Sequence, residues 1–122
     1  MTKDKKYIVF GSPYIGKEEI AEMVKTLKSG WIGTGPKTAQ FEKLVSDYVG
    51  AKYGLALNSC TAGLHLSLIV SGGCPGDEVI TTPLTFCATV NTIIHSGARP
   101  VFVDVDRLTM NLDASKIEQA IT

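Results

Sequence analysis

Tyr53-Gly54-Leu55-Ala56-Leu57-Asn58-Ser59-Cys60-Thr61-Ala62-Gly63 is the stretch from which the rest of the chain is read. Tyr53 to Leu57 is a short apolar run of strand length, Asn58 to Thr61 is small and polar, and Ala62 to Val70 is rich in leucine and small residues. Strands buried on both faces have nearly continuous apolar runs, and a polar corner before a leucine-rich segment marks a turn into a helix. The pattern predicts strand, tight turn and buried helix.

Toward the carboxyl end the same alternation repeats. Gly72 to Asp77 is rich in turn residues, Glu78 to Thr81 reads as a short buried strand, and Phe86 to His95 reads as a helix with Val90, Ile93 and Ile94 inward, closed near Gly97. Pro100 to Val105 predicts another strand, with Asp104 and Asp106 at its end, and Ile117, Ala120 and Ile121 predict a helix running to the last residue. Strand, helix, strand, helix, strand, helix is the order of an α/β fold with a mainly parallel sheet and crossover helices.

Toward the amino end, Ile20, Met23, Val24 and Leu27 fall at helical spacing, and Gly30 stands where a left-handed C-terminal cap is wanted. This predicts an amphipathic helix over 17–29. Phe41, Leu44, Val45 and Tyr48 predict a second over 37–49, and Trp31-Ile32-Gly33-Thr34-Gly35-Pro36 forms a glycine-rich connector between them. No repeat, low-complexity segment or linker interrupts the 122 residues, and a stop at Thr122 in or just after a helix leads to the expectation of an incomplete chain.

Twelve basic residues balance twelve acidic ones, without the one-sided charge that nucleic acid or an anionic membrane attracts. A small-molecule ligand is the expectation, with no nucleic-acid or membrane partner. The three cysteines lack metal-ligand spacing, and the Met1 to Lys6 start lacks the apolar run of a signal peptide, which points to a reducing, cytoplasmic compartment. The apolar stretch from Leu64 to Val70 is far too short to span a bilayer.

Three places could carry chemistry. The corner from Asn58 to Gly63 lies where a strand hands over to a helix, so free N–H groups and the positive helix end could hold a phosphate; the same residues could equally be an ordinary helix cap. Phe86 follows the next strand at the same rim, where open α/β sheets collect ligands, and could stack on a flat ring or fill the core. Trp31 and Thr34 sit in the glycine-rich connector, where an aromatic and a hydroxyl suit binding, although Trp31 could instead staple the two helices. His65 and His95 read as packing or surface residues. Asp104 and Asp106 at the strand end read as turn formers and not as a carboxylate pair, and Cys60 reads as lining backbone.

Taken in order, these stretches resemble the DegT/DnrJ/StrS family of pyridoxal-phosphate (PLP)-dependent sugar aminotransferases, of the aspartate-aminotransferase-like fold type I. The resemblance covers about Phe10 to Thr122. It is carried by Gly16 to Ile20, Ser29 to Pro36, Phe41-Glu42, Ser59 to Leu66, Gly76 to Thr81, Thr85-Phe86, Gly97 to Asp104 and Ile117-Glu118. It implies a single partial domain over 1–122. Residues 1–50 would supply amino-terminal helices and a substrate loop, and 51–122 the first strand-helix units of the large PLP-binding domain.

The resemblance further implies that Cys60, Thr61 and Ala62 cradle the PLP phosphate and that Phe86 stacks on the pyridine ring. Trp31 and Thr34 would line the sugar side, where the resemblance allows for a dimer interface. Family members often carry glycine or another small residue where this chain has Cys60, which favours a backbone role there. The implied reaction moves an amino group, usually from glutamate, to a nucleotide-linked keto sugar in a cytoplasmic homodimer. The lysine that binds PLP covalently, the aspartate on its pyridine nitrogen and a phosphate-binding serine belong to a later part of the family pattern, and Lys116 does not match it. On that implication the 122 residues alone are inactive. The alternatives are a PLP-dependent sugar dehydratase of the same family, with histidine replacing that lysine, and a non-catalytic module. A Rossmann nucleotide-binding domain is disfavoured, because the first corner is not Gly-x-Gly-x-x-Gly.

Overall fold

A computed structural model describes residues 9–122, which form two compact units meeting in sequence between Ala56 and Leu57. The first holds α1 (Lys17–Ser29) and α2 (Pro36–Val49). The second holds α3 (Cys60–Val70), β1 (Glu78–Thr81), α4 (Cys87–His95) and β2 (Arg99–Phe102), followed by two short 3-10 turns, Ala114–Lys116 and Glu118–Ala120.

Both helices of the first unit lie where the apolar spacing predicts. At its start α1 presents Gly16 N–H to the Glu19 carboxylate at 2.6 Å, and at its end Gly30 adopts φ 74°, donating its N–H to the Leu27 carbonyl. That left-handed conformation is the reason a glycine terminates the helix. Pro36 opens α2 at a position where its missing N–H costs nothing. Glu22 joins the two helices by accepting from both Lys25 and Lys37.

In the second unit β1 and β2 pair in parallel, Glu78 opposite Arg99 and Thr81 opposite Phe102, with α4 as the crossover. This is the α/β arrangement expected, in its smallest form. Ile93 of α4 and Val103 just past β2 are buried to 2% and 4% exposure, and Thr81 and Thr92 are buried beside them. Arg99 pairs with Glu78 across the start of the ladder, and the Arg99 N–H donates to the Asp77 carbonyl.

Several expectations are corrected. Tyr53 to Leu57 is not a strand: no described strand lies beside it, and a ladder needs a partner. Its Ala56 N–H donates instead to the Glu42 carboxylate of α2 at 2.9 Å, and Gly54 lies so close to the Glu42 carbonyl that a Cβ would sit 2.8 Å from it. The strand expected over Pro100 to Val105 ends at Phe102. Ile94, expected inward on α4, is 55% exposed. The final helix is two 3-10 turns, because so short a segment offers too few bonds to offset helix nucleation. Thr122 nevertheless reaches β1, its hydroxyl donating to Glu78 at 2.7 Å.

Candidate cofactor and substrate sites

The corner before α3 is built by a cap that leaves amides free. Ser59, extended at φ −162°, places its hydroxyl where it accepts the Ala62 N–H at 3.1 Å, and its carbonyl accepts the Gly63 N–H. The Cys60 and Thr61 N–H groups have no hydrogen-bond partner among the described residues. Ser59 is therefore a helix cap, and the next two amides stay open at the positive helix end. Asn58 to Thr61 are all exposed, so no side chain plugs the corner.

Phe86 is the residue before α4, with φ −68° and ψ 141°, its carbonyl accepting the Thr89 N–H. It stands just beyond the carboxyl end of β1 and is 77% exposed, so it fills no core among the described residues. The loop leading to it is held by the Leu84 N–H on the Thr82 hydroxyl and by a 2.9 Å bond between the Thr85 and Thr89 hydroxyls. Cys60, Thr61, Ala62 and Phe86 thus belong to one unit, at the starts of two helices that pack together. The edge-to-face pair of His65 and His95, ring centres 6.3 Å apart, is part of that packing.

Trp31 and Thr34 lie in the other unit, on the loop between α1 and α2. The indole N–H donates to the Thr34 carbonyl at 2.9 Å, and the Trp31 backbone N–H donates to the Ser29 hydroxyl. Thr34 thus contributes its backbone to this contact and leaves its hydroxyl free of partners among the described residues. The indole thereby closes its own loop. Gly35 permits this: a Cβ there would lie 1.9 Å from the indole nitrogen.

Asp106 behaves as the turn former expected. The Thr109 and Leu108 amides donate to its carboxylate, at 2.8 and 3.1 Å, and hold it below the usual aspartate range. Lys116 pairs with Asp113, which raises its pKa and commits it to a structural contact.

Residues 13–122 match the DegT/DnrJ/EryC1/StrS aminotransferase family. The chain belongs to that family. It is 55% identical over 120 residues to the spore coat polysaccharide biosynthesis protein SpsC of Bacillus subtilis, a match covering 98% of this chain and 31% of SpsC. Spr1654 of Streptococcus pneumoniae, whose name is "Putative sugar aminotransferase", superposes in its PLP form with a TM-score of 0.88 at 47% identity, covering 94% of this chain and 29% of that one. NtdA of Bacillus subtilis, solved with bound cofactor PMP, superposes with a TM-score of 0.81 at 34% identity over 97% of this chain and 29% of its own. The chain therefore spans about three tenths of the length of these relatives.

Two structural contacts had no signal in the sequence. Glu42 meets Ala56 fourteen positions away and Glu22 meets Lys37 fifteen away, separations that no helical or strand period connects.

Proposed function

We propose that this chain is the amino-terminal part of a PLP-dependent aminotransferase that transfers an amino group from a donor such as glutamate to a nucleotide-linked keto sugar. The observation that carries the proposal is the pair of open amides, Cys60 and Thr61, at an unplugged helix start. Membership of the aminotransferase family supports PLP as the phosphate monoester in this reading.

In this reading the Cys60 and Thr61 N–H groups hold the PLP phosphate, Ala62 keeps the approach free of a long side chain, and Ser59 fixes the helix start. Phe86 offers its exposed ring as a platform for the pyridine. Bound PLP supplies the electron sink that the amino-group transfer needs. Trp31 and Thr34 form the substrate side, and the whole protein is a cytoplasmic homodimer. Residues 1–122 form part of one domain, 51–122 lying in its PLP-binding half. The family's sugar dehydratase remains the second reading, and the residue at the PLP-linking position, lysine or histidine, separates the two.

The test is a chain of the relatives' length carrying this sequence, incubated with PLP, glutamate and a nucleotide-linked keto sugar. The expected result is visible absorption of bound PLP and formation of 2-oxoglutarate with an amino sugar. Bound PLP with loss of the sugar hydroxyl and no use of glutamate would establish the dehydratase. Amination of free keto sugars only would remove the nucleotide from the reading.

A further inference from the structure

Between the end of α1 and the start of α2 lies a cleft of about 250 Å³ lined by Lys25, Thr26, Ser29, Trp31, Gly33 and Lys37, with Pro36 at its edge. Its lining carries two ammonium groups and no carboxylate. Glu22, outside the lining, bridges both lysines, so the three charges together leave one positive charge. The indole is fixed by its bond to the Thr34 carbonyl, and Gly35 packs against its pyrrole edge, yet Trp31 remains 58% exposed. A flat, held ring beside two cations suits a ligand that joins an aromatic base to a diphosphate, because stacking and charge-assisted bonds are then satisfied together.

We infer that this cleft binds the nucleoside diphosphate portion of the substrate, the base on Trp31 and the diphosphate between Lys25 and Lys37. The inference rests on the nucleotide-sugar reading above and places the nucleotide on residues of α1, α2 and their loop. The Glu22 carboxylate competes with the diphosphate for both ammonium groups and thereby limits affinity.

The experiment is equilibrium dialysis of the 122-residue chain against uridine diphosphate and thymidine diphosphate, with uridine and inorganic pyrophosphate as separate probes. In parallel, fluorescence of the single tryptophan is followed. The nucleotides are expected to bind, to quench that fluorescence, and to bind more tightly than either half-probe. A Lys25→Gln/Lys37→Gln double variant weakens them about tenfold, consistent with loss of charge-assisted bonds. Glu22→Gln removes the same ion pairs but keeps the lysines, so it retains or strengthens nucleotide binding. Helix content by circular dichroism stays as in the parent for each variant.

Loss of binding in Glu22→Gln as large as in the double variant would show that the charges act only as a tether and would overturn the inference. So would binding of neither nucleotide at millimolar concentration, or pyrophosphate binding as tightly as the nucleotides. Nucleotide binding indifferent to both lysines overturns this placement while leaving the substrate class intact. The amination assay with free keto sugars tests that class independently.

Discussion

The Glu42 carboxylate accepts the Ala56 N–H at 2.9 Å, so a side chain of α2 takes the place that a neighbouring strand would occupy beside Tyr53 to Leu57. Both groups are half-buried, and a charged acceptor on a half-buried amide is a bond whose loss is felt. Glu42→Ala is expected to destabilise the chain by about 1 kcal/mol and to speed exchange of the Ala56 amide. Glu42→Gln, which keeps an acceptor, should recover most of that. Denaturant titration and amide exchange measure both, and unchanged exchange at Ala56 in Glu42→Ala would refute the tether.

Gly35 leaves no room for a side chain beside the Trp31 indole. Any Cβ at 35 meets the indole, so Gly35→Ala must drive the ring off the Thr34 carbonyl. The expected cost is about 1–3 kcal/mol, the range for overpacking. A shifted indole N–H resonance and stronger acrylamide quenching of the single tryptophan would accompany it.

The Lys25 and Lys37 ammonium groups beside Glu22 lower its pKa from 4.5 to about 2. A carboxylate whose folded pKa is depressed stabilises above its unfolded pKa, and that contribution disappears as pH falls toward the folded value. The link between α1 and α2 is therefore expected to hold above about pH 4.5 and to loosen between there and about pH 2. The side chains are about half exposed or more, so solvent and salt keep the effect small. Melting curves of the parent and Lys37→Ala across that window should converge at its acid end.

Ile93 and Val103 are the only fully buried hydrophobic residues among those described, while Ile20, Met23 and Leu27 on α1 and Phe41 and Leu44 on α2 each stay more than half exposed. The second edge of β1 is likewise unpaired among the described residues. Open apolar faces and strand edges favour association. Sedimentation of the 122-residue chain is expected to show self-association and an assay with glutamate to show no turnover; a monomer with well-protected amides would argue the other way.

What the sequence made legible follows from the range of the forces involved. Helices α1 and α2 repeat apolar residues at a local period and end on Gly30 and Gly50, so neighbouring residues suffice to read them. The parallel pair of β1 and β2 is legible from its apolar runs and the helix between them. Tyr53 to Leu57 has the same composition, but whether it becomes a strand depends on a neighbour that composition does not reveal. At the site, the Ser59 cap and the corner's open amides coexist because one hydroxyl satisfies only one of the free N–H groups. That division between atoms is invisible at the level of residue types, as is the role of the Thr34 carbonyl in holding Trp31.

The cradle is tested most directly by removing one amide without touching the helix. Cys60 is the first residue of α3 and follows an extended Ser59, a setting in which proline fits. A magnetic-resonance titration of the chain with PLP at millimolar concentration should move the Cys60 and Thr61 amides and the Phe86 ring, in the parent and in Cys60→Ala. Cys60→Pro should weaken that response about tenfold or more at unchanged melting temperature, as loss of one charge-assisted bond requires. Equal responses in Cys60→Pro and Cys60→Ala, or shifts confined to residues far from α3 and Phe86, would contradict the account.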